Sequence, residues 1–188
     1  MLDAAEELFA ERGYHDTGLK DVAARCELSV GTIYSLFESK EQLYETVLLR
    51  HGDRQTAEAD ARAPSSMPAD ERLIALARMQ IEHMAEHPRW HAVNADAARV
   101  ATRPGATMPH GYKVYLQDSF DYLTEIIEDG QRAGVIYPGD PRAMARLYFT
   151  LLDAFVTMNY PEETGGGNTD SVLFENFVRR AFSSRSSH

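Results

Sequence analysis

The chain has 188 residues, 44% of them apolar, and a formal net charge of −10 from 19 Lys and Arg against 29 Asp and Glu. This apolar content fits a globular protein with one core, or a small domain joined to a larger one. No run of eighteen apolar residues occurs and the chain opens on an acidic amphipathic helix, so neither a membrane span nor a secretory signal is expected, and the one cysteine, Cys26, excludes an intrachain disulfide and fits a reducing cytoplasm.

In chain order, Leu2, Ala5, Leu8 and Phe9 give a first helix its inward face, and Gly13 ends it. Thr17 reads as the N-cap of a second helix, with Asp21 near its positive end and Leu19, Val22, Ala23 and Cys26 on one apolar face. Cys26, so placed, is a small core residue rather than a redox sensor. The turn Glu27, Leu28, Ser29 puts Leu28 in the core and leaves Ser29 to cap a third helix over residues 30–36, with Ile33 and Phe37 inward. Val30, Gly31, Thr32, Tyr34 and Ser35 then face out. Two short helices joined by a tight turn, the second with such a face, have the shape of a DNA-reading helix-turn-helix. Ser39 caps a fourth, longer helix, Gln42 completes a capping box, and Leu43 and Val47 begin the helix's inward stripe. The pattern stays helical to about residue 62, so this helix would belong to both halves of the chain.

Ala63, Pro64, Ser65, Ser66, Met67 and Pro68 break the pattern. A helix from 69 to 87 follows, with Leu73, Leu76, Ala77, Gln80, Ile81 and Met84 inward, and then a shorter segment from 90 to about 100. Residues 101–109 read as a loop. The helix over 110–133 is apolar on much of its circumference and so is expected to lie centrally. Asp140 and Pro141 open the next, with Met144, Leu147, Tyr148, Leu151, Leu152, Phe155 and Val156 inward. A glycine-rich loop over 161–169 precedes the last helix, and the tail from 183 is expected to fray. Extra apolar surface on the last two helices, at Phe149, Ala154, Phe174, Phe177, Val178 and Ala181, suggests a two-fold dimer in which both pair with their copies.

Residues 1 to about 50 resemble the DNA-binding domain of the TetR (tetracycline-repressor-like) family of transcriptional regulators. The resemblance is carried by Ala5, Leu8, Phe9, Gly13 and Tyr14, by the run from Thr17 through Ala23, by Ser29, Val30, Gly31, Thr32, Ile33 and Tyr34, and by Phe37, Glu38, Ser39, Lys40, Glu41, Gln42 and Leu43. It implies an all-α fold of about nine helices, with a three-helix DNA-binding domain over 1–50 and a helical effector-binding and dimerisation domain over 51–188. The same interface on the last two helices is implied as well. Three positions depart from the family pattern. Glu27 stands where the turn normally has glycine, Leu36 where Tyr or His often reaches a phosphate, and Gly18 where a second hydroxyl is frequent.

The charge sharpens the expectation. Residues 1–52 hold five Lys and Arg against ten Asp and Glu, so the DNA-reading half is itself acidic. Bulk affinity for DNA comes from cations on phosphates, so binding should rest on a few placed groups. The candidates are Thr17, Lys20, Ser29, Val30, Gly31, Thr32, Tyr34, Ser35 and Lys40, together with the positive helix ends after Thr17 and Ser39. An apolar effector pocket would draw on Met79, His83, Met84, Trp90, Asn94, Tyr112, Tyr115, Phe120, Phe149 and Asp153, residues whose composition equally suits plain core packing. The segment His83, Met84, Ala85, Glu86, His87 matches an H-x-x-E-H zinc-peptidase pattern, but a proline follows at once and no supporting site is evident. The reading is therefore a homodimeric, cytoplasmic regulator of pseudo-palindromic operator DNA, a repressor released by a small apolar or aromatic effector, with no catalytic residue, metal or cofactor. The rivals are a metal-dependent hydrolase using His83, Glu86 and His87, or a helical interaction protein that does not bind DNA.

Overall fold

A computed structural model describes residues 1–101, 108–159 and 171–184. The expected loops over 101–109 and 161–169 thus lie largely outside the described residues, as does the tail beyond 184. The described residues form ten helices: α1 (Leu2–Arg12), α2 (Leu19–Arg25), α3 (Val30–Leu36), α4 (Lys40–Leu49), α5 (Gly52–Arg62), α6 (Ala69–Glu86), α7 (Pro88–Ala101), α8 (His110–Arg132), α9 (Pro141–Asn159) and α10 (Ser171–Phe182). One isolated antiparallel bridge, Ile136 to Ser183, is the only extended pairing among them. No helix among the described residues is long and apolar enough to cross a membrane.

The count exceeds nine because the expected long helix is broken. α4 ends at Leu49 and α5 begins at Gly52, so no continuous rod runs from Ser39 to Arg62. Packing also divides the chain differently from its sequence. One compact unit is Met1–Asp53 with His87–Tyr115, and the other is Arg54–Glu86 with Leu116–His188. Residues 87–115, assigned from sequence to the effector domain, pack with the N-terminal helices.

In the first unit Ala5, Leu8 and Phe9 of α1, Leu19, Val22 and Ala23 of α2, Ile33 of α3, and Leu43, Tyr44, Val47 and Leu48 of α4 form one core, with Trp90 and Val93 of α7 added to it. Burial chiefly pushes the Tyr44 phenol well above its ordinary pKa, with Asp96 and Tyr14 adding to the effect. Gly13 takes φ 74°, and from there its N–H closes α1 on the Phe9 carbonyl. The indole N–H of Trp90 donates to the carbonyls of Val47 (3.0 Å), which also accepts from the Arg50 N–H, and of Leu48 (3.2 Å), in the last turn of α4. Glu45 of α4 accepts from the Gly111 N–H at the start of α8, at 2.5 Å.

The second unit centres on α6, α8, α9 and α10, with Leu73, Ile126, Ile127, Ile136, Tyr148 and Val178 among its fully enclosed residues. A Cβ at Gly130 would collide with the Ile136 side chain, so only glycine lets α8 pass there. α6 and α10 are also tied by charge. Arg78 meets Glu175 at 2.7 Å and Arg179 meets Glu71 at 2.7 Å. The Arg78 guanidinium, hydrogen-bonded to Glu175, holds that carboxyl below the ordinary range. The start of the tail does not fray: the Ser184 N–H donates to Val135, the Tyr137 N–H to Phe182, and the buried Ser183 hydroxyl to Asp70 at 3.2 Å.

Candidate nucleic-acid interface

α3 is held from its ends and from beneath. Ser29 caps it by accepting from the Thr32 N–H at 3.1 Å, as expected, and Ile33 is wholly buried while Phe37 is half-buried. Glu27 in the preceding turn has φ 57°, the left-handed conformation that favours glycine. Glu27→Gly should raise stability by about 0.5–1 kcal/mol, the relief of left-handed strain less the entropy glycine loses on folding. A thermal melt checks this, and an unchanged or lower melting temperature would contradict it. Leu28 departs from expectation. It is 40% exposed, because the turn carries its side chain over the rim of the core.

The outward face is Gly31, Thr32, Tyr34 and Ser35, all exposed, with Val30 half-buried at its edge. Much of its hydrogen-bonding capacity is engaged within the helix. The Thr32 hydroxyl lies 2.8 Å from the Ser29 hydroxyl, and Ser35 donates to the Thr32 carbonyl at 2.7 Å. Tyr34 is 59% exposed. It borders an open hollow of about 570 Å³ with Gly18, Leu19, Lys20, Asp21, Glu38, Ser39 and Lys40.

Two expected contact residues have other work. Thr17 is 1% exposed, and its hydroxyl donates to the carbonyls of Leu8 (3.1 Å) and Gly13 (2.9 Å), so it clips α1 to the start of α2. It is not the cap either: α2 starts after Gly18, whose N–H is taken by Asp21 at 2.8 Å. Lys40 borders the hollow, but its ammonium donates to the Tyr14 carbonyl at 2.8 Å and stands 4.3 Å above the Tyr14 ring. Arg25 and Arg50 are drawn back to acids of α1, Arg25 to Glu7 at 2.7 Å and Arg50 to Asp3 and Glu6. Lys20 is exposed beside the hollow. Gln42 accepts from Glu38 rather than from Ser39, while Ser39 still caps α4 through the Gln42 N–H. Cys26 is half-buried at the end of α2.

The expected pocket residues fall in both units. Trp90, Asn94, Tyr112 and Tyr115 are in the first, where Trp90 and Tyr112 are buried and Asn94 donates to the Trp90 carbonyl. Met79, His83, Met84, Phe120, Phe149 and Asp153 are in the second. There the side chains of buried Gln55 and His83 meet at 3.1 Å, and the Phe120 and Phe149 rings lie 5.0 Å apart. Of the expected dimer contacts, Phe174 (4% exposed) and Val178 (1%) are spent in their own unit's core, since they occupy the inner stripe of α10. Phe177, Ala181 and Ala154 are exposed and Phe149 is half-buried. Leu147, expected inward on α9, is instead 53% exposed, because it lies away from the buried stripe of Ala145, Tyr148, Leu152 and Val156, and Val172 and Leu173, absent from the dimer set, are 60% and 61% exposed. For Val172 and Leu173 the spacing away from Phe174, Val178 and Phe182 was the signal that could have found them.

Residues 1–47 match the sequence profile of a family described as bacterial regulatory proteins, tetR family. An uncharacterized HTH-type transcriptional regulator YhgD of Bacillus subtilis (strain 168) is 26% identical over 156 residues, 81% of this chain and 80% of that protein. Two solved structures share the fold over nearly the whole chain. AibR in complex with isovaleryl coenzyme A and operator DNA has a TM-score of 0.77 at 24% identity, covering 96% of this chain and 95% of that one. FadR from Bacillus subtilis in complex with stearoyl-CoA has a TM-score of 0.78 at 21% identity, covering 95% and 94%. With its capped turn, its exposed α3 and this matching profile, the segment over residues 1–47 is a DNA-binding domain of the tetR family type, and the chain as a whole is similar to HTH-type transcriptional regulators.

Proposed function

We propose that the chain acts in the cytoplasm as a homodimer that reads a pseudo-palindromic operator with α3 of each subunit and represses until a small effector binds. The observation that carries this reading is α3 itself, capped by Ser29, anchored by Ile33 and exposing Gly31, Thr32, Tyr34 and Ser35 together. Lys20 adds a cation beside Tyr34, and the acidic balance of the domain leaves recognition to fit rather than to bulk charge. The exposed apolar residues Leu147, Val172, Leu173 and Phe177 of α9 and α10 support pairing with a second copy. An effector acts by favouring one of two states of the dimer through differential binding. The ring pair Phe120 and Phe149 and the buried Gln55 and His83 support an apolar ligand with one polar group, and the acyl-CoA complexes of AibR and FadR make that class the first to test. The hydrolase reading is not favoured, because residues 1–47 match a DNA-binding regulator profile, the similar proteins are transcriptional regulators, and Glu86 is exposed.

The test is selection of bound genomic fragments at low and moderate salt, repeated with a panel of acyl-CoA thioesters and other apolar ligands to find what releases them. Tyr34→Ala should then weaken the selected operator by roughly tenfold, the scale of one good groove contact, with an unchanged melting temperature. Failure to enrich any fragment under either salt condition would sink the reading.

A further inference from the structure

The histidine pattern of the sequence joins His87 to His83, four residues before it, but the structure sets another histidine against His87. His51 stands in the break between α4 and α5, and His87 in the break between α6 and α7. Their imidazole rings lie with centroids 4.3 Å apart and planes at 39°. Both residues are half-buried, so each ring keeps a route to solvent. Their ligating nitrogens come within 4.8 Å of each other. Two imidazole nitrogens on one zinc ion stand about 3.3 Å apart, from bonds of about 2.0–2.1 Å at a tetrahedral angle. Turning the side chains closes that gap without moving the backbone. Trp90, in the first turn of α7, walls the pair on one side: its indole packs edge-on to His51 at 5.1 Å, and its N–H is tied to the end of α4. An apolar wall of this kind limits solvent access to an ion.

We propose that His51 and His87 hold a divalent transition-metal ion of the zinc class, with water or a further donor in the remaining positions. Imidazole nitrogen is a ligand that zinc, copper and nickel share, whereas calcium and magnesium take oxygen. The ion departs from the sequence expectation of a chain without metal. It pins the end of α4 to the start of α7, both in the first unit, and so stabilises that unit by mass action. Plain ring packing would use neither nitrogen, and the two readings part in a metal titration.

The test uses the full chain, stripped of metal by a chelator and carrying no affinity tag. Trp90 is the one tryptophan of the sequence, so its emission reports this place. Paramagnetic cobalt(II) should quench that emission with saturation near one equivalent, and zinc(II) added afterwards should displace the cobalt and restore it. His51→Phe and His87→Phe keep a ring in each place and lose its nitrogens. Each should weaken cobalt binding by at least about tenfold, the lower end of what disturbing a metal site costs. His15→Ala, at an exposed histidine, should bind as the wild type does. Zinc(II) should also raise the melting temperature of the wild type and of neither phenylalanine variant. A wild type whose emission shows no saturable quenching near one equivalent overturns the proposal, whatever the variants do. So does full binding by His51→Phe, which would leave the ion to the His83 and His87 spacing of the sequence, and so does an equal loss in His15→Ala. None of these failures touches the operator reading, which uses neither His51 nor His87.

Discussion

Replacing Trp90 with alanine is expected to lower the stability of the first unit by about 3–5 kcal/mol, the range for deleting a large buried aromatic side chain. The indole is 3% exposed, packs edge-on to His51 with centroids 5.1 Å apart, and gives its N–H to the carbonyls of Val47 and Leu48. Alanine would leave a cavity and remove the donor that closes the end of α4. Trp90→Phe keeps most of the volume and loses only that donor, so it should cost about 1–2 kcal/mol. Urea unfolding of the three proteins, followed by far-ultraviolet circular dichroism, measures both differences. The pair also decides whether Trp90 is structural or a wall of an effector pocket. A Trp90→Phe protein as stable as the wild type, with altered release from the operator by effector, would assign the ring to ligand binding and contradict its role as the closure of α4.

Tyr148→Ala is expected to be as damaging to the second unit, again about 3–5 kcal/mol. Tyr148 is 2% exposed, its hydroxyl donates to the Leu73 carbonyl of α6 at 2.6 Å, and its ring meets Phe182 of α10 edge-on at 5.9 Å. One side chain thus joins α9 to both neighbouring helices. Burial pushes its phenol far above the ordinary tyrosine pKa, so it stays a neutral donor throughout the working pH range. Tyr148→Phe should lose only about 1 kcal/mol, the net worth of one ordinary hydrogen bond. Thermal unfolding of both variants is the check. Equal losses would mean that the bond to Leu73, and not the filled volume, holds α9 in place.

The DNA-reading domain was legible because its signals are local. Ser29 and Ser39 cap the helices they precede, Gly13 ends α1, and Ile33, Leu43 and Val47 fall inward at helical spacing. The left-handed turn at Glu27 was also readable, from the glycine expected there. The roles of Thr17 and Lys40 were not. A threonine before a helix and a lysine in a first turn look like a cap and a surface cation, and only the packing of α1 and the turn after it brings the carbonyls of Leu8 to Thr17 and of Tyr14 to Lys40.

Sequence by itself determined the helical content, the helix-turn-helix and the family likeness of residues 1–47, since caps, turns and periodicity act between residues a few positions apart. Tertiary structure decided which apolar stripe faces inward on α9 and α10, and so moved Phe174 and Val178 from the surface into the core. It also decided that residues 87–115 pack with the N-terminal helices and that the rod expected from Ser39 to Arg62 breaks after Leu49. The reason is that a helical pattern states which residues seek burial but not which partner buries them. The partner that closes α4, the indole of Trp90, is more than forty residues away in the chain.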